Sequence, residues 1–268
     1  MPFVVSDGRP LYYERTGSGP AVLFLHGAGS NAATWWQQLP AFSERYTCIT
    51  TDIRCFGRSG APLSEFQWPL LLQDVQLLLR QEKIERVAIV GQSLGGMIGL
   101  RLALAQPSLV AGFVASDTSL SVDHPEMLQR IRDRQITQKA VTVEQRSLGG
   151  WFLKNEPEKA ALYAQINHFN PSAHSLAGDQ WGKALADLMR PDVLLPLESL
   201  RSVACPTLFV VGNEDPIVPV SAMHEAAELV PDGAVAVVPD AGHSAYFEKP
   251  TQYNKLVLGF LGSRVYPS

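Results

Sequence analysis

The sequence predicts an α/β fold in which helices flank a mostly parallel sheet and a helical lid interrupts the core. Short, unbroken apolar runs recur along the chain, which is typical of strands buried on both faces. Helical patterns long enough to cross over a parallel sheet separate the first of these runs. Between residues 119 and 202, helical segments follow one another without a convincing strand. We therefore expect one α/β core, residues 1–118 and 203–268, with a lid, residues 119–202, inserted in it.

The predicted strands begin with a hairpin around the turn Asp7-Gly8. Strands are expected at residues 3–6, 11–15, 21–25, 46–51, 87–90, 110–115, 207–211 and 234–238. Core helices are expected at residues 34–45, 66–82, 94–106 and 222–230, and lid helices at residues 125–139, 143–153, 157–169 and 172–189. Gly149-Gly150 falls inside a predicted lid helix, where it marks either a helix break or a hinge.

Composition argues against several classes of function. The chain has 26 acidic and 22 basic side chains and no basic tract that would follow a phosphate backbone, so nucleic acid is not an expected partner. The first residues contain neither a signal-peptide pattern nor a membrane helix, so we expect a cytoplasmic protein without a membrane partner. Three scattered cysteines predict neither a disulfide framework nor a zinc site. No metal or organic cofactor is expected.

The strongest chemical signal is Gly-x-Ser-x-Gly around Ser93, placed between a predicted strand and a predicted helix. The five-residue pattern alone is weak. A serine at a sharp strand-to-helix turn, however, needs glycine two positions before and after it, and Gly91 and Gly95 meet that need. Such a turn exposes the hydroxyl as a nucleophile and leaves the Leu94 N–H at a helix N-terminus, where it can stabilise an oxyanion. The alternative is a tight turn in which the serine only caps the helix.

A serine nucleophile needs a base, and the base needs a carboxylate that orients it. Among six histidines, His243 is the expected base because it lies on a loop just after the last predicted strand. Catalytic groups gather at this edge of an open α/β sheet. The expected carboxylate is Asp215, which follows the preceding strand, and Asp117 at the end of another strand is the alternative.

A second oxyanion donor is expected in the loop His26-Gly27-Ala28-Gly29, whose small residues let the backbone approach a substrate. Ala28 is the residue expected to supply this N–H. His26 lies at the strand end, a position that suits a hydrogen bond holding the loop better than a catalytic role.

With Ser93, Asp215 and His243 in this chain order, the sequence resembles the α/β-hydrolase fold family over nearly all of its length apart from the lid. Residues 51–62 look like the family's Asp-x-Arg-Gly-x-Gly-x-Ser-x-x-Pro loop, although Cys55 stands where glycine is usual. The run Gly-Gln-Ser-Leu-Gly-Gly-Met-Ile-Gly is similar to that of 3-oxoadipate enol-lactonases and related small esterases.

The resemblance implies a serine hydrolase that cleaves a small carboxylic ester or lactone through an acyl-enzyme. The substrate is expected to enter between the lid and the strand ends, with Trp151, Phe152 and Trp181 as candidate pocket residues. Two other chemistries of the fold stay open: hydrolysis of a carbon–carbon bond in β-diketone-like substrates, and cofactor-free perhydrolysis. A ligand receptor without turnover is the remaining alternative, and a homodimer is left open.

Overall fold

A computed structural model describes residues 3–137, 142–169 and 180–267 and contains one large sheet. Its strands are β1 Phe3–Ser6, β2 Arg9–Thr16, β3 Ala21–Leu25, β4 Thr47–Thr51, β5 Val87–Gln92, β6 Val110–Ser116, β7 Thr207–Gly212 and β8 Gly233–Val238. They lie in the order β1-β2-β4-β3-β5-β6-β7-β8. The β1–β2 and β2–β4 pairs are antiparallel and the others are parallel. The predicted mostly parallel sheet is therefore confirmed.

Helices connect the strands and cover the sheet. Within the described residues they are α1 Leu39–Phe42, α2 Trp68–Gln81, α3 Leu94–Ala105, α4 Pro125–Thr137, α5 Val143–Ser147, α6 Gly150–Asn155, α7 Pro157–His168, α8 Gln180–Asp187, α9 Val220–Leu229, α10 Ala245–Glu248 and α11 Pro250–Phe260. Three 3-10 helices lie within the same residues at Ala32–Gln37, Leu63–Glu65 and Leu197–Ser202, and a π-helix lies at Leu261–Val265.

The predicted helix over residues 34–45 forms two short pieces instead. The first is a 3-10 helix, Ala32–Gln37, which begins where the Asn31 side chain accepts a hydrogen bond from the Ala33 N–H. The second is α1, which carries Pro40 in its first turn. Proline lacks the N–H that would continue the preceding turn, so it begins a new helix rather than extending the old one.

Alternate residues of the central strands face two separate hydrophobic cores. In β3, the side chains of Leu23 and Leu25 belong to the core shared with α2, α3 and α9. Val22 and Phe24 belong to the core shared with α11 and with part of the lid. Since all five residues of β3 are buried, both faces of the sheet are covered.

The carboxyl ends of the parallel strands meet at one edge of the sheet. Ser93 follows β5, Asp117 follows β6, Asp215 follows β7 and His243 follows β8. The chain runs from β3 to β4 on one side and returns to β5 on the other. The strand order therefore reverses between β3 and β5, and such a reversal opens a crevice in which α/β proteins bind ligands.

In the described part of the predicted lid, the secondary structure consists of helices and one isolated bridge, between Val122 and Leu195. The predicted helix over residues 143–153 is divided into α5 and α6, and Gly149 is the extended residue that precedes α6. Of the two alternatives for Gly149-Gly150, the structure shows a helix break.

Some of the predicted lid lies outside the described residues. Residues 138–141 and 170–179 fall in this class, so the predicted helix over residues 172–189 is described only from Gln180 onward, where α8 begins. In the described ranges, no helix combines the length and the apolar character needed to cross a membrane.

Candidate active site

The turn at Ser93 has the strained geometry expected of a nucleophile elbow. Ser93 lies between β5 and α3 with φ 49° and ψ −112°, a backbone conformation that residues other than glycine rarely adopt. A Cβ added to Gly91 would overlap the carbonyl of Gly95, and a Cβ added to Gly95 would overlap the carbonyl of Leu25. The prediction that these two positions require glycine is therefore confirmed.

Neighbouring strands hold this elbow in place. The Ser93 N–H donates to the Ser116 carbonyl at 3.0 Å, and the Thr118 hydroxyl donates to the Ser93 carbonyl at 2.7 Å. On the other side, the Gly95 N–H donates to the His26 carbonyl at 3.1 Å. Because these bonds come from the ends of β6 and β3, the strained backbone is fixed by elements on both sides of β5.

The structure brings His243 and Asp215 together. His243 Nδ1 lies 2.9 Å from Asp215 Oδ2, and both side chains are buried. The other carboxylate oxygen of Asp215 accepts hydrogen bonds from the N–H groups of Ile217, at 2.7 Å, and Val218, at 3.0 Å. With the proton on Nδ1 shared with Asp215, the lone pair of His243 lies on Nε2, as general-base catalysis requires.

A buried glutamine joins the histidine to the elbow. Gln92, the residue before Ser93, donates from Nε2 to the His243 carbonyl at 2.7 Å. These two positions are 151 residues apart in the chain. Sequence analysis missed Gln92 because its contact depends on β8 returning to the edge of the sheet, which no local pattern indicates.

Asp117, the alternative carboxylate, holds two loops rather than the imidazole. Its Oδ1 accepts from the Gly212 N–H at 2.9 Å and its Oδ2 from the Ala245 N–H at 3.2 Å. Burial raises the pKa of Asp117 well above its usual value, and the nearby Asp215 carboxylate raises it further. The geometry therefore favours Asp215 as the partner of His243.

His26 is a structural residue, as its position in the sequence indicated. Its Nε2 accepts a hydrogen bond from the Ile53 N–H at 2.9 Å, so the proton lies on Nδ1, which donates to the Gly27 carbonyl at 2.7 Å. Burial lowers the pKa of His26, which keeps the imidazole neutral in this arrangement. The ring thereby fixes the loop after β3.

The same loop lies directly beside the elbow. A Cβ on Gly27 would lie 3.2 Å from Ser93 Cβ and would overlap the side-chain oxygen of Gln92, so this position packs tightly against the elbow. Ala28 is the next residue of this loop, and Leu94 is the first residue of α3, whose N–H has no partner within the helix. Ala28 and Leu94 are thus on the two segments that flank Ser93, and their roles as oxyanion donors stay predictions.

Comparison with known proteins decides the family. Residues 20–250 match the family model described as alpha/beta hydrolase fold. The chain belongs to the α/β-hydrolase fold family. It is a hydrolase, in agreement with its sheet topology and its nucleophile elbow.

Similar proteins of this family carry out several hydrolytic reactions. The chain is 26% identical, over 98% of its length and 91% of the relative's, to a 2-hydroxy-6-oxo-6-(2'-aminophenyl)hexa-2,4-dienoic acid hydrolase of Metapseudomonas resinovorans. It is 26% identical to 3-oxoadipate enol-lactonase 2 of Acinetobacter baylyi, over 89% of this chain and 87% of that one. A solved N-acyl homoserine lactone degrading enzyme superimposes with a TM-score of 0.81 at 27% identity, covering 97% of this chain and 100% of the other.

The predicted pocket aromatics of this hydrolase have different surroundings. Trp151 is 37% exposed, and Lys249 Nζ lies over its ring, 3.4 Å from the ring centroid. Phe152 is 1% exposed and packs edge-on against Phe247, so its ring joins the lid to the core and has no open face for a substrate. The side chain of Trp181 lies outside the described residues. Substrate contact by Trp151 stays a prediction, whereas the burial of Phe152 indicates a packing role.

A further buried carboxylate, Glu248, lies close to the histidine and was not found by sequence analysis. It is 5% exposed and accepts hydrogen bonds from the N–H groups of Gly149, Gly242 and Ser244. The one signal in the sequence was an acidic residue at the end of the apolar run Ala245-Tyr246-Phe247. A charged side chain in such a run is rarely buried unless it is fully hydrogen-bonded.

Cys55, which replaces a usual glycine, does not belong to the site. It has φ 73° and is fully buried, and its thiol lies 3.5 Å from the Pro62 carbonyl. Burial raises the pKa of this thiol to about 12, so it stays protonated. The departure from the family pattern therefore affects the backbone shape of its own loop.

Proposed function

We propose that this hydrolase cleaves a small carboxylic ester or lactone through an acyl-enzyme on Ser93, with His243 as base and Asp215 as the orienting carboxylate. The observation that carries the proposal is the chain of contacts from the elbow to the acid. Gln92, adjacent to Ser93, bonds to the carbonyl of His243, and the imidazole bonds to Asp215. These contacts draw one alcohol, one imidazole and one carboxylate to the same edge of the sheet.

In the proposed reaction, Ser93 Oγ forms a bond to the carbonyl carbon of the substrate while His243 Nε2 takes the hydroxyl proton. The negative charge that develops on the carbonyl oxygen is stabilised by the N–H groups of Leu94 and Ala28, each contributing about 3 kcal/mol. Collapse of this intermediate breaks the bond to the alcohol oxygen, which receives the proton from His243. In a lactone the alcohol stays attached to the acyl chain.

A water molecule completes the cycle. His243 removes its proton as the water oxygen attacks the acyl carbon. The bond from that carbon to Ser93 Oγ then breaks, the same imidazole returns the proton to Oγ, and the acid is released. Asp215 stays ionised throughout and stabilises the transient imidazolium. Its second oxygen, held by the N–H groups of Ile217 and Val218, fixes the carboxylate plane for this contact.

Two relatives support a lactone or ester as substrate, and one supports a different bond. The enol-lactonase and the lactone-degrading enzyme act on cyclic esters by their names. The dienoic acid hydrolase supports carbon–carbon cleavage as the second candidate, because its similarity covers 98% of this chain. Both reactions need a nucleophile or base at the position of Ser93. The two candidates are therefore distinguished by which kind of substrate the protein turns over.

The test is turnover of p-nitrophenyl esters of increasing acyl length, of a small lactone and of a vinylogous β-diketone acid. We expect ester or lactone hydrolysis that Ser93→Ala reduces by at least about 10³-fold. Ser199→Ala is the control, since that hydroxyl is exposed and bonds only to the Pro196 carbonyl among the contacts seen. Turnover of the diketone acid alone would favour the second candidate. Binding without any product would favour a receptor.

A further inference from the structure

We propose that Glu248 is a positioning residue for His243, because its buried carboxylate fastens the loop that carries the histidine to the lid. We call residues 240–244 the histidine loop and residues 147–151 the lid anchor. The proposal rests on the proposed function, in which His243 is the general base.

The carboxylate of Glu248 bridges the two segments. Its Oε1 accepts from the N–H groups on either side of the histidine, Gly242 at 2.9 Å and Ser244 at 3.2 Å. Its Oε2 accepts from the Gly149 N–H of the lid anchor at 2.8 Å. The N–H of His243 itself donates to the Ser147 carbonyl, also in the lid anchor, at 2.7 Å. The N–H groups of Gly242, His243 and Ser244 are therefore all hydrogen-bonded. The lid anchor supplies one donor to Glu248, the Gly149 N–H, and one acceptor to the histidine loop, the Ser147 carbonyl.

The two segments also touch backbone to backbone. A Cβ on Gly242 would overlap the Gly149 nitrogen and lie 2.7 Å from the Leu148 carbonyl carbon. A Cβ on Gly149 would lie 2.9 Å from the Gly242 nitrogen. One further contact, between the Tyr163 and Ser244 hydroxyls at 2.9 Å, comes from α7. The position of the histidine loop thus depends on the lid as much as on the sheet.

Only an ionised carboxyl satisfies this arrangement. Two oxygens without protons can accept from all three N–H groups, whereas a protonated carboxyl or an amide presents a donor where an acceptor is needed. We therefore expect that protonating Glu248 has the same effect as replacing it with glutamine: the bond to Gly149 is lost.

Burial raises the pKa of Glu248 to about 7, against the effect of the three N–H groups, which lower it. The like charge of Asp215 raises it further. Within the described ranges, Asp215 and Asp117 are the charged groups that act on this carboxyl, and His243 lies between the two N–H groups that donate to it. Glu214, Tyr163 and Lys249 contact neighbouring residues of the same two segments. Glu248 is accordingly ionised well above pH 7 and becomes protonated as the pH falls below it.

The test compares wild type with Glu248→Gln, using the second-order rate at which a fluorophosphonate labels Ser93 between pH 5.5 and 9. Above pH 8 we expect the variant to react about tenfold more slowly, which corresponds to one lost hydrogen bond to a charged acceptor. Near pH 5.5 the wild-type carboxyl is protonated too, so the ratio of the two rates should approach one.

Glu214→Gln is the matched control. Glu214 Oε2 accepts from the Trp151 N–H of the same lid anchor at 2.9 Å, but its carboxylate is not bonded to the histidine loop. We expect this variant to stay within about twofold of wild type, with a ratio that does not change with pH. Hydrogen exchange of a peptide covering residues 241–246 should be faster in Glu248→Gln than in Glu214→Gln, and this measurement also shows that each variant is folded.

Gly149→Ala changes the lid-anchor side of the same contact. It should also slow labelling, because the added Cβ separates the lid anchor from the histidine loop. A wild-type rate for Glu248→Gln at pH 8.5, or a rate ratio that is constant with pH, overturns the proposal. If wild type itself is not labelled at Ser93, the proposed function fails instead. If wild type is labelled, but the hydrogen exchange and the labelling rate of Glu248→Gln are unchanged, only the role of Glu248 is rejected.

Discussion

The elbow that carries Ser93 and the loop that carries His243 lie at the same edge of the sheet but are positioned in different ways. The elbow is fixed by residues within two positions of the serine, Gly91 and Gly95, and by the ends of adjacent strands. The histidine loop is bonded to Glu248, which follows it closely in the chain, and also to Gln92 and the lid anchor, 151 and roughly 95 residues earlier. The nucleophile therefore depends on the backbone geometry of its own turn and the strands beside it, whereas the base depends on buried side chains and on the lid anchor.

Substitutions in the two regions should therefore have different effects. A change in the elbow should act on the stability of the core, because no side chain can move to relieve a backbone overlap. A change around the histidine loop should act on the rate of catalysis, because the loop keeps other bonds when one is lost. Substitutions at the acid, at the elbow and at the link between the two regions test this division.

The largest expected effect is on the acid that serves the base. Asp215→Asn replaces the acceptor of the His243 Nδ1 proton, favours the wrong tautomer and should lower kcat for a p-nitrophenyl ester by about 10⁴-fold. Asp117→Asn should cost less than about tenfold, because this carboxyl contacts backbone N–H groups and not the imidazole. The reverse order of the two effects would show that Asp117 is the orienting acid.

The second largest expected effect is a loss of stability caused by a substitution in the elbow. Gly95→Ala should lower the free energy of unfolding by about 3 kcal/mol, since the added Cβ overlaps the Leu25 carbonyl and backbone must shift to make room. Denaturant unfolding measures this loss. Gly259→Ala, at a helix position with open space around it, is the matched control and should not destabilise the protein. Equal stability of the two variants would contradict a sterically fixed elbow.

The smallest expected effect comes from the link between the two regions. Gln92→Leu removes the hydrogen bond to the His243 carbonyl with little change in volume, and we expect kcat to fall about tenfold while KM stays the same. Since the histidine loop retains its bonds to Glu248, the imidazole should still reach the serine. A loss as large as that of Asp215→Asn would mean that Gln92, and not the lid anchor, holds the base.

Local patterns predicted the sheet well and some helices poorly. All eight strands lie within about two residues of their predicted bounds, because buried apolar runs are a short-range signal. The C-terminal helix α11 was missed, although Tyr253, Val257 and Phe260 are spaced along one buried face of it. Pro40 divided another predicted helix by removing a backbone donor.

By itself, the sequence determined the fold class, the elbow and the identities of Ser93, His243 and Asp215 as candidates. Each of these depends on residue type and on spacing within a few positions, or on the rule that parallel strands end at one edge. The three-dimensional fold was needed to show that Asp215 rather than Asp117 meets the imidazole, and that Gln92 and Glu248 contact the histidine loop. The bonds of Asp215 and Gln92 to His243, and of Glu248 to Gly149, join segments far apart in the chain, where hydrogen-bond partners are set by packing and leave no local pattern.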